Sequence, residues 1–135
     1  MGTILVVDDE KGIVELIDEA LTRFGHTVEV ATDGLSALRL FKNGLFDLVI
    51  TDMSMPNIDG PTLVRHIRRS NHPDIPVIGI SGTPWELKKA NCDVTLTKPF
   101  SLIQLIHTVN QFVRETDPSI TRQTPFSVPL EARQL

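Results

Sequence analysis

The sequence predicts an α/β fold: a doubly wound, five-stranded parallel sheet with helices on both faces. First, short apolar runs alternate along the chain with segments of helical periodicity, as in βαβ units joined by right-handed crossovers. Second, several of the runs are continuous and β-branched, which is typical of strands buried on both faces. Third, a length of 135 residues with 41% hydrophobic and 22% charged residues suits one globular domain.

The first part of the chain contains two strands and two helices by this pattern. Thr3 to Val7 is a continuous apolar run and predicts the first strand. Apolar residues at helical spacing from Ile13 to Phe24 predict the first helix, and Gly25 stands where helices commonly end. Thr27 to Ala31 is the second predicted strand, and the second helix ends near Gly44.

The middle of the chain repeats the alternation. The third strand is predicted from Phe46 to Thr51. The third helix begins at Gly60, with Pro61 at its first position, where a missing N–H costs no hydrogen bond. The fourth strand is predicted from Pro76 to Ser81.

Two capping boxes mark the starts of the last two helices. Thr83 to Glu86 opens a short fourth helix, predicted from Pro84 to about Asn91 and about two turns long. Val94 to Thr97 is the fifth predicted strand, and Ser101 to Gln104 opens the long last helix.

The periodicity stops at about Glu115, and the remaining segment contains three prolines. We therefore expect residues 1–114 to form the folded domain. Residues 115–135 are expected to be a flexible C-terminal tail or a truncated linker.

Composition excludes several classes of protein. Cys92 is the single cysteine, so an intrachain disulfide framework is impossible and a reducing compartment is expected. No apolar run reaches the ~18–20 residues of a membrane span, and the start of the chain lacks the features of a signal peptide. A net charge of −4 argues against direct nucleic-acid binding. We expect a cytoplasmic protein with no membrane contact.

Chemically active side chains follow four of the predicted strands. The carboxyl ends of parallel strands share one edge of a sheet, where ligands of such folds bind. Three aspartates at one edge repel one another, and Mg²⁺, which favours carboxylates, water and phosphate oxygens, relieves that repulsion. A lysine and a hydroxyl at the same edge suit phosphoryl oxygens. The expected phosphoryl-transfer site contains Asp8, Asp9, Asp52, Ser81 and Lys98.

Each of these residues also has a structural explanation when taken alone. A strand-end acid such as Asp8 is often a helix N-cap, and Lys98 alone would be an ordinary surface charge. Ser81 alone would terminate a strand or cap a turn. Convergence of the whole set at one edge favours the functional interpretation.

The motifs also resemble a known family, the receiver domain of bacterial two-component response regulators. The resemblance covers residues from about 3 to 114 and implies a flavodoxin-like (βα)5 fold. It is carried by the following segments: Asp8-Asp9-Glu10, Asp52-Met-Ser-Met-Pro56-Asn-Ile-Asp59-Gly60, Ser81 and Lys98-Pro99-Phe100.

The resemblance implies a role for each acid. Asp52 would be the phosphoacceptor, forming an aspartyl phosphate. Asp9 and Asp52 would bind Mg²⁺ directly, with the Ser54 main-chain carbonyl as a further ligand and Asp8 acting largely through a water molecule. Mn²⁺ is the alternative metal.

Further roles follow from the same resemblance. Lys98 would pair with the phosphoryl group, and the Lys98–Pro99 peptide bond would be cis. Ser81 would donate a hydrogen bond to the phosphoryl group and move on modification.

The resemblance also implies a signalling function. The domain would catalyse only its own phosphorylation and slow dephosphorylation, without acting as an enzyme on other substrates. The expected partners are a histidine kinase or phosphotransfer protein, and a downstream effector protein or a C-terminal effector domain. A homodimer through the last helices is a further expected arrangement.

Two departures from the family pattern affect the output surface, which in this family consists of the fourth helix, the fifth strand and the last helix. Thr95 occupies the position on the fifth strand where an aromatic residue usually swings inward on activation. The stretch from Ser81 to Lys98 is also a few residues short, which shortens the fourth helix. Trp85, at the start of that helix, either packs in the core or serves as an exposed binding anchor.

Two other functional classes compete with this interpretation. The first is an interaction module that works without phosphorylation, suggested by Thr95 and the short fourth helix. The second is a small Mg²⁺-dependent phosphohydrolase with an aspartate nucleophile. Against the second, Ser54 stands where that class carries its general acid, and no cap domain encloses a substrate.

The remaining polar side chains are expected to be structural or superficial. Cys92 is predicted to be a small buried filler. The basic cluster on the third helix and all four histidines are expected at the surface: Arg65, Arg68, Arg69, His26, His66, His72 and His107.

Overall fold

The computed structural model describes residues 1–83 and 90–116 of the chain. Within these ranges five parallel strands form one sheet, in the order β2-β1-β3-β4-β5. The strands are β1 (Thr3–Val7), β2 (Thr27–Ala31), β3 (Leu48–Asp52), β4 (Val77–Ser81) and β5 (Val94–Thr97). This order confirms the predicted doubly wound α/β fold.

Four helices are described, two on each face of the sheet. They are α1 (Lys11–Arg23), α2 (Gly34–Asn43), α3 (Gly60–Arg68) and α4 (Leu102–Thr116). The predicted fourth helix falls mainly on residues 84–89, which lie outside the described residues. Ala90 and Asn91, at its expected end, are not helical.

Two hydrophobic cores, one on each face of the sheet, hold these layers together. Successive residues of a strand alternate between them: Leu5 packs with α2 and α3, whereas Ile4 and Val6 pack with α1 and α4. All residues of β3 and β4 are buried. The continuous apolar runs in the sequence therefore reflect burial on both faces, as predicted.

The sheet order determines where a ligand can bind. Because β1 lies between β2 and β3, the chain winds outward in both directions from the β1–β3 pair. Helices leave that pair on opposite faces, which opens a crevice beyond the carboxyl ends of the two strands. Val7 is paired with Thr51, so the residues that follow, Asp8 and Asp52, are neighbours at that crevice.

His26 corrects the expectation that all histidines lie at the surface. Its side chain is buried, and its Nδ1 accepts a hydrogen bond of 3.2 Å from the Gly2 backbone N–H. With Nδ1 as an acceptor, Nε2 carries the proton and donates to Asn110 Oδ1 at 2.9 Å. Burial lowers the pKa of His26, which favours this neutral ring. The other three histidines are exposed, as expected.

Arg68 corrects the expectation of a solvated basic face on α3. Only 17% of its side chain is exposed, and its guanidinium pairs with Asp93 Oδ2 at 2.9 Å. It also donates to the carbonyl oxygens of Pro73, Ile75 and Asn91. Arg65 and Arg69 on the same helix are exposed, as expected.

No helix in residues 1–83 or 90–116 is long and apolar enough to cross a membrane.

Candidate functional site

Three aspartates meet at the carboxyl edge of the sheet. Asp8 follows β1, and Asp52 is the last residue of β3. Both are almost fully buried, with 2% and 3% exposure, while the adjacent Asp9 is exposed. One carboxylate oxygen from each of the three lies within 4.8 Å of the others. The structure thus brings together the acids that the strand-end argument selected.

Asp8 has one satisfied and one unsatisfied oxygen. Its Oδ1 accepts a hydrogen bond of 2.9 Å from the Glu10 backbone N–H. Among the described residues, nothing donates a hydrogen bond to its buried Oδ2. Burial raises the pKa of Asp8, and the Glu10 N–H and Lys98 only partly oppose that rise. A buried anionic oxygen without a donor is suited to receive a cation.

Asp52 is held in the same desolvated environment. Burial and the neighbouring Asp8 carboxylate raise its pKa to about 6. Lys98 and the Ser54 backbone N–H act in the opposite direction, because both stabilise the charged form. At pH 7 the carboxylate is therefore mostly ionised, and its oxygens are available as nucleophile or metal ligand.

Lys98 is the cation that residues 1–83 and 90–116 bring to the site. Its Nζ lies 3.4 Å from Asp52 Oδ1 and 3.5 Å from Asp8 Oδ2. Partial burial acts to lower the pKa of Lys98, but the carboxylates of Asp52, Asp8 and Glu10 outweigh it and raise the pKa. The ammonium group therefore stays charged and bridges two strand ends.

The backbone fixes the position from which Lys98 reaches inward. The Lys98 N–H donates to the Ser81 carbonyl oxygen at 2.9 Å, which extends the β4–β5 pairing beyond Thr97. The Lys98–Pro99 peptide bond is cis. The resemblance implied this cis bond.

Ser81 ends β4 beside this cluster. The β3–β4 register pairs Asp52 with Ile80, so Ser81 lies one position beyond the neighbour of Asp52. Its Oγ lies 3.2 Å from Thr83 Oγ1 and accepts a 3.0 Å hydrogen bond from the Thr83 N–H. Ser81 is therefore at the predicted edge and holds the first turn of the loop that follows β4.

Thr95 and Ser54 are exposed. Thr95 lies on β5, at the edge of the sheet. Ser54 lies in the loop after β3, two residues beyond Asp52. Trp85 lies outside the described residues, so its two interpretations remain predictions.

Gly60 positions Asp52, a role that the sequence argument missed. A Cβ at Gly60 would overlap the Asp52 carbonyl oxygen and would lie 2.5 Å from Met53 Cα. The Gly60 N–H donates to the Met53 carbonyl at 3.1 Å, and the Met53 N–H donates to Ile80 at 2.8 Å. The loop after Asp52 is thus clamped between the start of α3 and β4. The feature of the sequence that indicates this role is Gly60-Pro61, which stands shortly after Asp52 at the end of its strand.

Glu10 is a second residue to which the sequence argument gave no role. Its Oε1 lies 3.7 Å from Lys98 Nζ, although 66% of its side chain is exposed. At that exposure the contact contributes little to stability. Its adjacency to Asp8 and Asp9 was the only signal in the sequence.

Comparisons with known proteins agree with this geometry. A family model for the response regulator receiver domain matches residues 4–110. The sensor kinase CckA of Brucella abortus is 38% identical over 123 residues, which cover 86% of this chain and 13% of the kinase. The response regulator MprA of a Mycobacterium species is 33% identical over 127 residues, covering 90% of this chain and 55% of that regulator.

A solved structure extends the similarity to three dimensions. The Thermotoga maritima response regulator TrrA, in complex with Mg²⁺-BeF, is 33% identical to this chain with a TM-score of 0.74. The match covers 83% of this chain and 99% of that one.

The chain belongs to the response regulator receiver domain family of two-component systems. Members of this family are signalling domains that bind Mg²⁺ in an acidic pocket. The chain spans about half the length of MprA and about an eighth of CckA.

Proposed function

We propose that Asp52 accepts a phosphoryl group and that this modification switches the surface of the domain. The observation that carries the proposal is a buried, ionisable Asp52 carboxylate with Lys98 Nζ at 3.4 Å and Asp8 beside it. An Asp52 oxygen attacks phosphorus and forms the acyl phosphate, while the bond to the donor breaks and its electron pair leaves with the donor. Attack by water on the same phosphorus later releases inorganic phosphate and restores the carboxylate.

The acidic cluster fits a divalent cation. The buried Asp8 Oδ2 accepts no hydrogen bond from the described residues and shares the Lys98 ammonium, at 3.5 Å, with Asp52, so its negative charge is only partly compensated. Asp9 and Asp52 would hold Mg²⁺ directly with the Ser54 main-chain carbonyl, and Asp8 would act largely through water. When bound, the cation neutralises charge on the acids and on the incoming phosphoryl group. Mn²⁺ prefers the same oxygen ligands, and we propose that it substitutes.

Two groups would respond to the new phosphoryl charge. Phosphorylation adds roughly −1.5 to −2 charge units at pH 7, which attracts the Lys98 ammonium and the Ser81 hydroxyl. Ser81 bonds the turn after β4, and Lys98 follows β5. Movement of these two residues would therefore change both loops that lead to the output surface. Related domains usually carry an aromatic residue at the position of Thr95, and that residue swings inward on activation. Thr95 is too small to fill the space of an aromatic ring, so we propose that this domain passes on its signal in a different way.

The proposed partners follow from this chemistry. A histidine kinase or phosphotransfer protein would donate the phosphoryl group in the cytoplasm. A separate effector protein or a C-terminal effector domain would read the switched surface. We propose no direct contact with nucleic acid by residues 1–114, and treat a homodimer through the last helix as a further proposal.

Phosphorylation with a small donor tests the proposal. We expect incubation with acetyl phosphate and Mg²⁺ to add one phosphoryl mass to the intact protein, and Asp52→Asn to remain unlabelled. The matched control is Asp74→Asn, because Asp74 is exposed and lies in the loop before β4, at the opposite edge of the sheet. A folded wild type that stays unlabelled would contradict the proposal and favour the phosphorylation-independent interaction module.

A further inference from the structure

Glu10 occupies the N-cap position of α1 without capping the helix through its side chain. Its backbone N–H donates to Asp8 Oδ1 at 2.9 Å, and its carbonyl oxygen accepts from the Ile13 N–H at 3.0 Å. Its side chain makes no capping hydrogen bond. Serine, threonine, aspartate and asparagine favour this position, because their short side chains reach the free helix N–H groups. The capping of α1 therefore does not account for a glutamate at position 10.

The Glu10 carboxylate instead faces the lysine of the acidic cluster. Its Oε1 lies 3.7 Å from Lys98 Nζ. The same ammonium group lies 3.4 Å from Asp52 Oδ1 and 3.5 Å from Asp8 Oδ2. All three distances exceed the ~2.7–2.9 Å of a tight charge-assisted hydrogen bond. Lys98 is therefore shared by three carboxylates, and none of the three binds it closely.

The three carboxylates differ in their exposure to solvent. Asp8 and Asp52 are buried, whereas 66% of the Glu10 side chain is exposed. Dissolved salt screens an exposed ion pair strongly and a buried pair much less. An exposed pair adds little to folding stability, but the same small energy changes a reaction rate severalfold. The pull of Glu10 on Lys98 is therefore weak, sensitive to salt and large enough to affect a rate.

We propose that Glu10 is a positioning residue that holds Lys98 in this shared position and thereby slows phosphorylation of Asp52. The inference rests on the proposed function. Phosphorylation adds roughly −1.5 to −2 charge units, and Lys98 must leave the shared position to bind the phosphoryl oxygens closely. The Glu10 carboxylate opposes that movement because it attracts the same ammonium group. Removal of the Glu10 carboxylate leaves Lys98 free to follow the phosphoryl group.

Removal of the Glu10 charge tests this role. At low ionic strength and saturating Mg²⁺, we expect acetyl phosphate to label Glu10→Gln roughly two- to fivefold faster than wild type. The ratio of the two rates should fall towards one in 1 M salt, where the Debye length is ~3 Å. The matched control is Glu15→Gln, which removes the same charge one turn further along α1. Glu15 is 65% exposed and pairs with Lys11 at 4.0 Å, so this variant should be labelled at the wild-type rate.

A second variant separates the reach of the side chain from its charge. Glu10→Asp keeps the charge but is one methylene group shorter, and an aspartate at the N-cap bonds to the helix N–H groups instead. We expect it to be labelled faster than wild type, as Glu10→Gln is. If Glu10→Asp were labelled at the wild-type rate, the effect of Glu10→Gln would come from repulsion of the anionic donor and not from Lys98. That result, or an equal acceleration in Glu15→Gln, would overturn the proposal.

NMR of the lysine side chains measures the contact without metal or phosphoryl donor. In the metal-free protein, Glu10→Gln should shift the Cε and Hε signals of Lys98. Glu15→Gln should shift those of Lys11 and leave Lys98 unchanged. Unchanged Lys98 signals in Glu10→Gln would contradict the proposal. A wild type that stays unlabelled would contradict the proposed function, whereas a labelled wild type with no acceleration in Glu10→Gln would contradict only the role of Glu10.

Discussion

Two buried carboxylates and one lysine give the site its electrostatic character. Asp8 and Asp52 both have raised pKa values, and burial is the first cause in each case. Lys98 compensates for only part of this cost, since its one ammonium group serves both carboxylates and no other cation of the described residues pairs with them. The metal-free site is therefore destabilising at neutral pH, and a cation or a proton relieves it.

The pH dependence of stability follows from the raised pKa of Asp52. Between the ordinary value of 3.8 and about 6, the folded protein keeps a proton that the unfolded chain has released. The contribution of Asp52 to the free energy of unfolding therefore falls as the pH rises through this window. Metal-free Asp52→Asn should be more stable than wild type at pH 7 by about 1–3 kcal/mol, since each pKa unit corresponds to ~1.4 kcal/mol.

Urea unfolding in a chelator, from pH 4 to pH 7, measures this difference. The advantage of Asp52→Asn should shrink as the pH approaches 4. Comparison with wild type at each pH cancels the contribution of His26, whose lowered pKa destabilises the folded protein in acid. A constant difference across the pH range would show that Asp52 is not desolvated as described.

Gly60 provides a second prediction at the scale of single residues. Gly60→Ala places a methyl group against the backbone of Asp52 and Met53, so the loop must shift. We expect a loss of about 1–3 kcal/mol in stability. Displacement of the Asp52 backbone should also slow labelling by acetyl phosphate ~10-fold or more.

Gly12→Ala is the matched control for Gly60→Ala. Gly12 lies in α1 with nothing within 4 Å of an added Cβ, so the change should stabilise the protein by up to ~1 kcal/mol and leave labelling unchanged. If Gly60→Ala labelled as fast as wild type, Gly60 would have no role in positioning Asp52.

Not every side-chain contact in the domain was predictable at this scale. The meeting of Asp8, Asp52 and Lys98 was, because strand order and strand ends determine it. The burial of His26 was not, since its partner Asn110 lies 84 residues away in sequence. Pattern reasoning assigns a lone polar residue to the surface when it cannot identify such a partner.

At the scale of elements, Arg68 joins segments that the sheet alone does not connect. It lies at the end of α3 and bonds the chain before β4 and the chain before β5. Asp93, its charged partner, also accepts a hydrogen bond of 2.8 Å from the Val77 backbone N–H. This arrangement fixes the amino edge of the sheet, opposite the acidic cluster.

Removal of this side chain should be costly. Arg68→Ala leaves the carbonyl oxygens of Pro73, Ile75 and Asn91 without the guanidinium donor and removes the ion-pair partner of Asp93, which then keeps only the Val77 N–H among the described donors. We expect a loss of about 2–3 kcal/mol in the free energy of unfolding. Arg65→Ala on the same helix should cost no more than ~0.5 kcal/mol, because Arg65 is exposed. Chemical denaturation of both variants measures the difference, and similar losses would contradict the structural role of Arg68.

Element boundaries were predicted best where local chemistry marks them. The bounds of β1, β2 and β5 and the start of α3 at Gly60-Pro61 agree with the sequence prediction. The side chains of Asp33 and Asp59, which the sequence analysis did not identify as caps, cap α2 and α3. The β3 strand begins at Leu48 instead of Phe46. Phe46 lies before the strand, and its ring stacks on Phe41 with centroids 6.5 Å apart. Its apolar side chain therefore serves this packing contact and does not mark the start of β3. Apolar character alone does not distinguish these two causes.

At the scale of the whole molecule, the doubly wound order is what makes one acidic cluster out of distant residues. Asp8, Asp52 and Lys98 are separated by two long stretches of sequence, yet the order β2-β1-β3-β4-β5 places their strand ends at one edge. Alternation of strands and helices predicted a parallel sheet whose strand ends share one edge, and the family resemblance implied its flavodoxin-like form. The division into residues 1–114 and 115–135 remains a prediction, and α4 extends to Thr116.

Chemical trapping of the phosphorylated residue tests the proposed function most directly. Borohydride reduces an aspartyl phosphate to homoserine, so peptide mass spectrometry after reaction with acetyl phosphate and Mg²⁺ identifies the acceptor. We predict homoserine at position 52 alone, and none when a chelator replaces Mg²⁺. Homoserine at position 8 or 9, or a phosphoryl group that resists borohydride on a serine or histidine, would contradict the assignment of Asp52 as the phosphoacceptor.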